Sequence, residues 1–196
     1  ERFGDLKSLT SLNLSGDREH PMKIESLPER FGDLVNLKDL NLENCRSLKS
    51  LPERFGQLNL TDIDFGYCKK LDLALMFDVI FQLKGLTKLS LAGLEMESLP
   101  ERFGDLEKLE TLNLNYCYAL ESLPERFGEL VNLDKKSFMA AIKQVKTLPE
   151  GIVDHPHLRD ATELDLSGSN LVALPERFGE LTSLRKLAMS ACPAKD

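Results

Sequence analysis

Leu37-Lys38-Asp39-Leu40-Asn41-Leu42-Glu43-Asn44-Cys45-Arg46-Ser47-Leu48-Lys49-Ser50-Leu51-Pro52-Glu53-Arg54-Phe55-Gly56-Gln57-Leu58 is one copy of a unit that recurs along the chain. Its tetrapeptide Glu-Arg-Phe-Gly starts at Glu1, Glu29, Glu53, Glu101, Glu125 and Glu176, at successive separations of 28, 24, 48, 24 and 51 residues. The two long separations each hide a degenerate copy, Asp78-Val79-Ile80-Phe81-Gln82-Leu83 and Glu150-Gly151-Ile152, which makes eight units of about 24 residues. Within a unit, the alternation at Leu40-Asn41-Leu42 has the period of a short strand, apolar to one side and polar to the other. Leu-Pro then breaks the strand, and Glu-Arg-Phe-Gly makes a helical or 3₁₀ turn with its phenylalanine inward. Neither piece buries its apolar side alone, so the units must stack, with strands pairing in parallel and leucines and phenylalanines lining up in columns.

The pattern Leu-x-x-Leu-x-Leu-x-x-Cys-x-x-Leu resembles the leucine-rich repeat, and the likeness covers essentially the whole chain. The resemblance implies an α/β solenoid with a parallel sheet on a concave side, short helical or 3₁₀ turns on a convex side, and about eight repeats. Eight strands spaced ~4.8 Å apart would span an arc of roughly 35–40 Å. The phase predicts strands at Leu12–Leu14, Leu40–Leu42, Ile63–Phe65, Leu89–Leu91, Leu112–Leu114, Leu164–Leu166 and Leu187–Met189, with an eighth near Phe138. Phe3, Phe31, Phe55, Phe103, Phe127 and Phe178, joined by Ile80 and Ile152, form one convex column. The Glu-Arg pairs beside it read as a solvated ladder of alternating charge.

The longer form Leu-x-x-Leu-x-Leu-x-x-Cys-x-x-Leu-x-x-Leu-Pro-x-x-Phe-Gly-x-Leu is similar to the cytoplasmic repeats of plant-type nucleotide-binding immune receptors, and to repeats of algal and protist proteins. It lacks the Leu-x-Gly-x-Ile-Pro signature of plant extracellular receptor kinases. The resemblance implies an intracellular recognition module beside other domains and carries no catalytic residue with it.

Of 196 residues 39 are leucine, tryptophan is absent, and 42% hydrophobic with 29% charged residues is the balance of a folding chain. A formal charge of −7 and a pI near 5.1 offer nothing to nucleic-acid backbones or anionic membrane surfaces. No run approaches the ~18 apolar residues that cross a bilayer. The chain opens in the middle of a unit, at Glu1-Arg2-Phe3-Gly4, and neither end shows an evident polar cap. The expectation is one domain over residues 1–196, a fragment of something larger, whose open ends associate end to end or are covered by flanking residues.

Cys45, Cys68, Cys117 and Cys192 each lie three residues after the second inward strand residue, where a side chain turns back to satisfy the backbone. That accounts for all four thiols without a disulfide and favours a cytoplasmic home. Of the glycosylation sequons, Asn13-Leu14-Ser15 falls on the sheet face, where a glycan would block binding; Asn59-Leu60-Thr61 is the other. His155-Pro156-His157 reads as an exposed loop without the further ligands a metal needs. No Gly-rich phosphate loop, paired Cys-x-x-Cys or nucleophile elbow occurs, so no enzyme activity, cofactor or metal is expected.

Partner information must then lie where units differ. The candidate binding residues are Asn41, Glu43, Asp62, Asp64, Tyr67, Glu110, Asn113, Asn115, Tyr116 and Asp165, an acidic face dotted with amides and tyrosines, joined by variable Lys38, Asp39, Asn44, Thr61 and Thr111. Tyr67 and Tyr116 share a position two strands apart; either they are exposed anchors of an interface or they pack on neighbouring strand ends. A protein or peptide partner, basic or polar, is the electrostatic match. The alternative is a structural or autoinhibitory solenoid packing against its own flanking domains. Three stretches break the period: Ser15 to Lys23, the helix-prone Leu71 to Gln82, and Leu133 to Val145, where Lys136 replaces a strand leucine and a helix from Lys135 to Val145 is expected. Each is a functional insertion or a decayed unit.

Overall fold

The computed structural model describes residues 3–192; Glu1 and Arg2, which complete the first tetrapeptide, lie outside them. Two compact units emerge: a first that runs to Glu95 and includes Lys108–Cys117, and a second made of Met96–Glu107 and the chain from Tyr118 onward.

The first unit holds a parallel sheet of five strands in chain order, β1 (Ser11–Asn13), β2 (Asp39–Asn41), β3 (Asp62–Asp64), β4 (Lys88–Ser90) and β5 (Thr111–Asn113). Register puts Leu12, Leu40, Ile63, Leu89 and Leu112 side by side, so the inward column of the repeat is also the column of strand centres. Each strand begins and ends one residue earlier than its two-leucine core, because the residue after the central leucine already begins the turn. Asn41 shows how: its Oδ1 accepts the N–H of Glu43 at 2.8 Å and turns the chain, while Leu42 N and Asn44 N still bond the next rung at Asp64 O and Gly66 O.

Behind the sheet, 3₁₀ turns Phe3–Asp5, Glu29–Asp33 and Glu53–Gln57 carry the phenylalanine column. Pro28 and Pro52, with φ −68° and −66°, enter the last two in extended conformation. Phe31 and Phe55 are fully buried, and rings stack at 5.6 Å from Phe3 to Phe31 and 5.9 Å from Phe31 to Phe55. Only glycine serves at Gly32, where a Cβ would come within 2.7 Å of the Arg54 carbonyl oxygen. The exposed arginines link successive turns: Arg30 meets Asp5 at 2.7 Å and Asp33 at 3.1 Å, and Arg54 reaches back to Asp33. This is the expected solvated ladder, each exposed pair screened by solvent and contributing little. The helix-prone stretch is α1 (Leu73–Ile80), begun by Asp72, whose carboxylate accepts the Leu75 N–H at 3.1 Å, and burying Met76, Phe77 and Ile80.

In the second unit 3₁₀ turns span Glu101–Asp105, Glu125–Glu129, Glu150–Asp154 and Glu176–Glu180, and Phe103 stacks on Phe127 at 6.4 Å. Glu101 and Glu150 use their carboxylates to accept backbone N–H groups of the following turn, from Glu125 and Arg126 and from Glu176 and Arg177. The strand considered near Phe138 does not form; α2 (Lys135–Gln144) occupies that rung, with Phe138, Ala141 and Ile142 buried at helical spacing. Asp134 begins it, accepting from Ser137 N at 2.8 Å. A short α3 (Pro156–Arg159) follows, and β6 (Glu163–Asp165) pairs with β7 (Lys186–Ala188) in parallel.

His155-Pro156-His157 is not the exposed loop expected of it. His155 is fully buried, its ring stacked at 3.9 Å on Phe138. Its Nε2–H donates to Leu130 O at 3.0 Å while Nδ1 accepts the His157 N–H at 3.2 Å, beginning α3, and His157 Nε2 lies 2.8 Å from Leu133 O. The neutral tautomer is fully partnered, and this removes the desolvation objection to an inward histidine.

Candidate recognition face

Thiols first separate structure from surface. Cys45, Cys68, Cys117 and Cys192 donate to the carbonyl oxygens of Leu14, Leu42, Leu91 and Leu166 at 3.1 to 3.4 Å, each one repeat back. All four are unbridged. Burial pushes the Cys45 thiol up to about 11 and the Cys68 thiol, with Cys45 adding to the effect, up to about 12, so they act as protonated donors.

The polar face of the five-stranded sheet forms a groove of about 250 Å³ whose lining includes Asp39, Asn41, Asp62, Asp64, Lys88 and Asn113. The candidate residues divide into three groups, and of them Asn41, Asp62, Asp64 and Asn113 line this groove. Asn41, Asp64 and Asn113 are one column of turn formers, each side-chain oxygen accepting the N–H two residues on, from Glu43, Gly66 and Asn115, at 2.7 to 3.0 Å. Asp165 does the same for Ser167 at 2.8 Å on β6 of the second unit. These residues present polar edges to the face while holding the backbone.

Asp62 and Glu110 serve no turn. Asp62 is half-buried; burial opposes its ionisation, but Lys88 at 2.7 Å and the Thr61 hydroxyl at 2.7 Å prevail and hold its carboxyl below the usual range. Glu110 is exposed just before β5. The third group follows the strands. Glu43, Tyr67, Asn115 and Tyr116 lie in the turns, not on β2, β3 and β5, and Asn44, Tyr67, Gly93 and Tyr116 form a column of left-handed residues with φ 59°, 58°, 67° and 64°. Glu43 is pushed above the usual carboxyl range by burial and then by Asp64. The Tyr67 and Tyr116 rings meet at 6.3 Å, tilted by 34°.

Two members of the face went unnoticed in the sequence. Lys88 was legible as the register partner of Asp62, and Gly93 as the member of the tyrosine column that has no side chain; both signals needed the phase carried one column further. Among the described residues no group of three or more His, Cys, Asp or Glu could hold a metal ion, and no helix is long and apolar enough to cross a membrane.

A family model described as Leucine Rich Repeat matches residues 36–58. A comparison with curated proteins finds no match. Among solved structures the chain is similar to a TDR receptor (22% identity over 97% of this chain and 36% of that one, TM-score 0.58). It is also similar to a chain of the Toll–Spätzle complex of Drosophila (24%, 98% and 28%, TM-score 0.55) and to the plant peptide hormone receptor RGFR1 in complex with RGF2 (22%, 97% and 34%, TM-score 0.53). The chain spans about a third of the length of these receptor chains. The chain thus carries a leucine-rich repeat, and its fold is that of a leucine-rich-repeat solenoid.

Proposed function

We propose that the chain is a non-catalytic recognition module of a longer receptor or scaffold, and that it takes a basic protein or peptide segment on the sheet face of the first unit. The observation that carries the reading is the division of labour along β1 to β5: the repeated leucines fill the core, while residues that change from rung to rung, Asp39 and Asp62 among them, line one groove in which Lys88 pairs with Asp62, and Glu110 lies within electrostatic reach of that lysine. At the level of fold, support comes from Toll and RGFR1, both solved in complexes, with Spätzle and RGF2.

Affinity purification of the native protein followed by mass spectrometry, repeated with Asp39→Lys combined with Glu110→Lys, tests this. Both side chains are exposed and neither forms a turn. A partner lost from the variant at an unchanged melting temperature supports the reading; a partner retained by it places the interface elsewhere. We place the module in the cytoplasm, on the strength of four unbridged thiols, three of them buried, used as hydrogen-bond donors. Alkylation of the denatured native protein should label the same four cysteines with and without prior reduction, and oxidised cysteines would overturn that placement.

A further inference from the structure

Resting on that reading, we propose that Glu43, Asp64, Tyr67 and Tyr116 form the anchor site for an arginine side chain of the partner, its guanidinium held by the two carboxylates and laid against the tyrosine rings.

The site is built by what the chain leaves out. Two residues beyond the strands, register aligns Glu43, Gly66, Ala92 and Asn115 in a row, tied by hydrogen bonds from Asn44 N to Gly66 O, Tyr67 N to Ala92 O and Gly93 N to Asn115 O at 2.7 to 2.9 Å. The middle of this row is small. Over Gly66 the carboxylates converge: a Cβ there would lie 2.9 Å from Asp64 Oδ1 and 3.3 Å from Glu43 Cγ. Beside it the Tyr67 ring lies across Gly93, where a Cβ would come within 2.4 Å of ring carbons, and so reaches Tyr116 in the next rung. Tyr116 is 54% exposed, so the pair presents aromatic surface to solvent.

Charge decides the occupant. Among the described residues neither Glu43 nor Asp64 is in an ion pair, although Asp62 pairs with Lys88 and Asp33 with both Arg30 and Arg54. Two neighbouring half-buried carboxylates without a cation cost free energy that an arriving cation removes. A guanidinium suits both halves of the site: its fork of N–H donors matches carboxylates, and its weakly hydrated plane stacks on aromatic rings. An ammonium would use the carboxylates and gain less from the rings.

The test is selection of random dodecapeptides by the full chain, then fluorescence anisotropy of the enriched peptide and its Arg→citrulline and Arg→Lys forms. These are measured against the unchanged chain, Tyr116→Asn and Glu43→Gln. Asparagine already occupies the same column at Asn44 with φ 59°, so Tyr116→Asn keeps the turn, which an unchanged melt will verify. The enriched peptides should carry an arginine whose replacement by citrulline weakens binding about tenfold or more, and by lysine about three- to fivefold. Tyr116→Asn and Glu43→Gln should each weaken the arginine peptide about fivefold or more, and leave the citrulline peptide nearly unchanged. Peptides that lack arginine, or ignore both substitutions, yet are lost with Asp39→Lys and Glu110→Lys, overturn the anchor and leave the sheet-face reading standing. Peptides indifferent to all four substitutions, or a library without binders, overturn both.

Discussion

In the first unit every rung from β1 to β5 is a strand, whereas in the second the rung that contains Phe138 is the helix α2. Both keep the same interior: Phe31 stacks on Phe55 in one, and Phe127 stacks on Phe138 at 6.3 Å in the other. A rung is therefore defined by the apolar groups it delivers, not by its backbone hydrogen bonds. A helix satisfies its own N–H and C=O groups and can replace a strand wherever it presents Phe138, Ala141 and Ile142 inward. The two histidines tie this rung to the segment before it: His155 donates to the Leu130 carbonyl, which also accepts the Leu133 N–H, and His157 Nε2 lies 2.8 Å from the Leu133 carbonyl. The strand rungs pay for their regularity differently, by exposing polar edges that together make a face.

The comparison breaks most severely at the columns both units share. Phe31→Ala and Phe127→Ala should each lose about 3–5 kcal/mol, because each removes a fully buried ring flanked by others. Urea denaturation followed by circular dichroism reads the loss, and a cost below 1 kcal/mol in either would mean that unit does not depend on its column.

The second unit should gain an acid sensitivity of its own from His155. Burial holds it down, to about 4 from an ordinary 6.5, with His157 adding to the effect and the Leu130 carbonyl opposing it. A group whose folded pKa is depressed in this way favours the fold fully above pH 6.5 and loses that contribution as pH falls from 6.5 toward 4. The loss amounts to about 3 kcal/mol by linkage. A proton on Nδ1 would face the His157 N–H that Nδ1 now accepts. Melting temperatures of the unchanged chain and His155→Gln between pH 7.5 and 4.5 should converge on acidification; parallel curves would remove the histidine from the account.

The left-handed glycines sharpen the contrast. Gly93 in the first unit and Gly168 in the second have φ 67° and 69°, but a Cβ meets Tyr67 at the first and nothing within 4 Å at the second. Gly168→Ala should cost about 1 kcal/mol from backbone strain alone, and Gly93→Ala about twice that because the Tyr67 ring must move. Equal costs would show that the ring yields freely. Smallest is the turn column: Asn41→Ala and Asp165→Ala should each lower the melting temperature slightly and in equal measure, since each orphans one N–H. A clear excess at Asn41, which is half-buried where Asp165 is exposed, would show that desolvation rather than turn geometry sets the cost.

Much of this was legible along the chain. Leu40, Phe55 and Cys45 recur at a fixed phase, and the only buried environment open to a recurring apolar residue is its own column. Lys136 in a leucine position, followed by Phe138, Ala141 and Ile142, pointed to the helix α2. The turn role of Asn41, Asp64 and Asn113 was harder to see, because an Asx turn and a binding amide use the same residue at the same place. His155 was misread because histidine between a proline and an acidic residue has the composition of a loop, and only its hydrogen bonds to Leu130 and His157 pay for its burial.

The sequence by itself determined the repeat, the contents of its columns and the acidic character of its variable positions, since each follows from periodicity and needs no partner to be read. Tertiary structure alone decided that Tyr67 and Tyr116, 49 residues apart, become one aromatic pair. It also decided that Glu43 and Asp64 converge over Gly66. The physical reason is that stacking turns the small residues Gly66 and Gly93 into space that Glu43 and Tyr67 of the preceding repeats fill, and no single repeat contains both that space and those side chains.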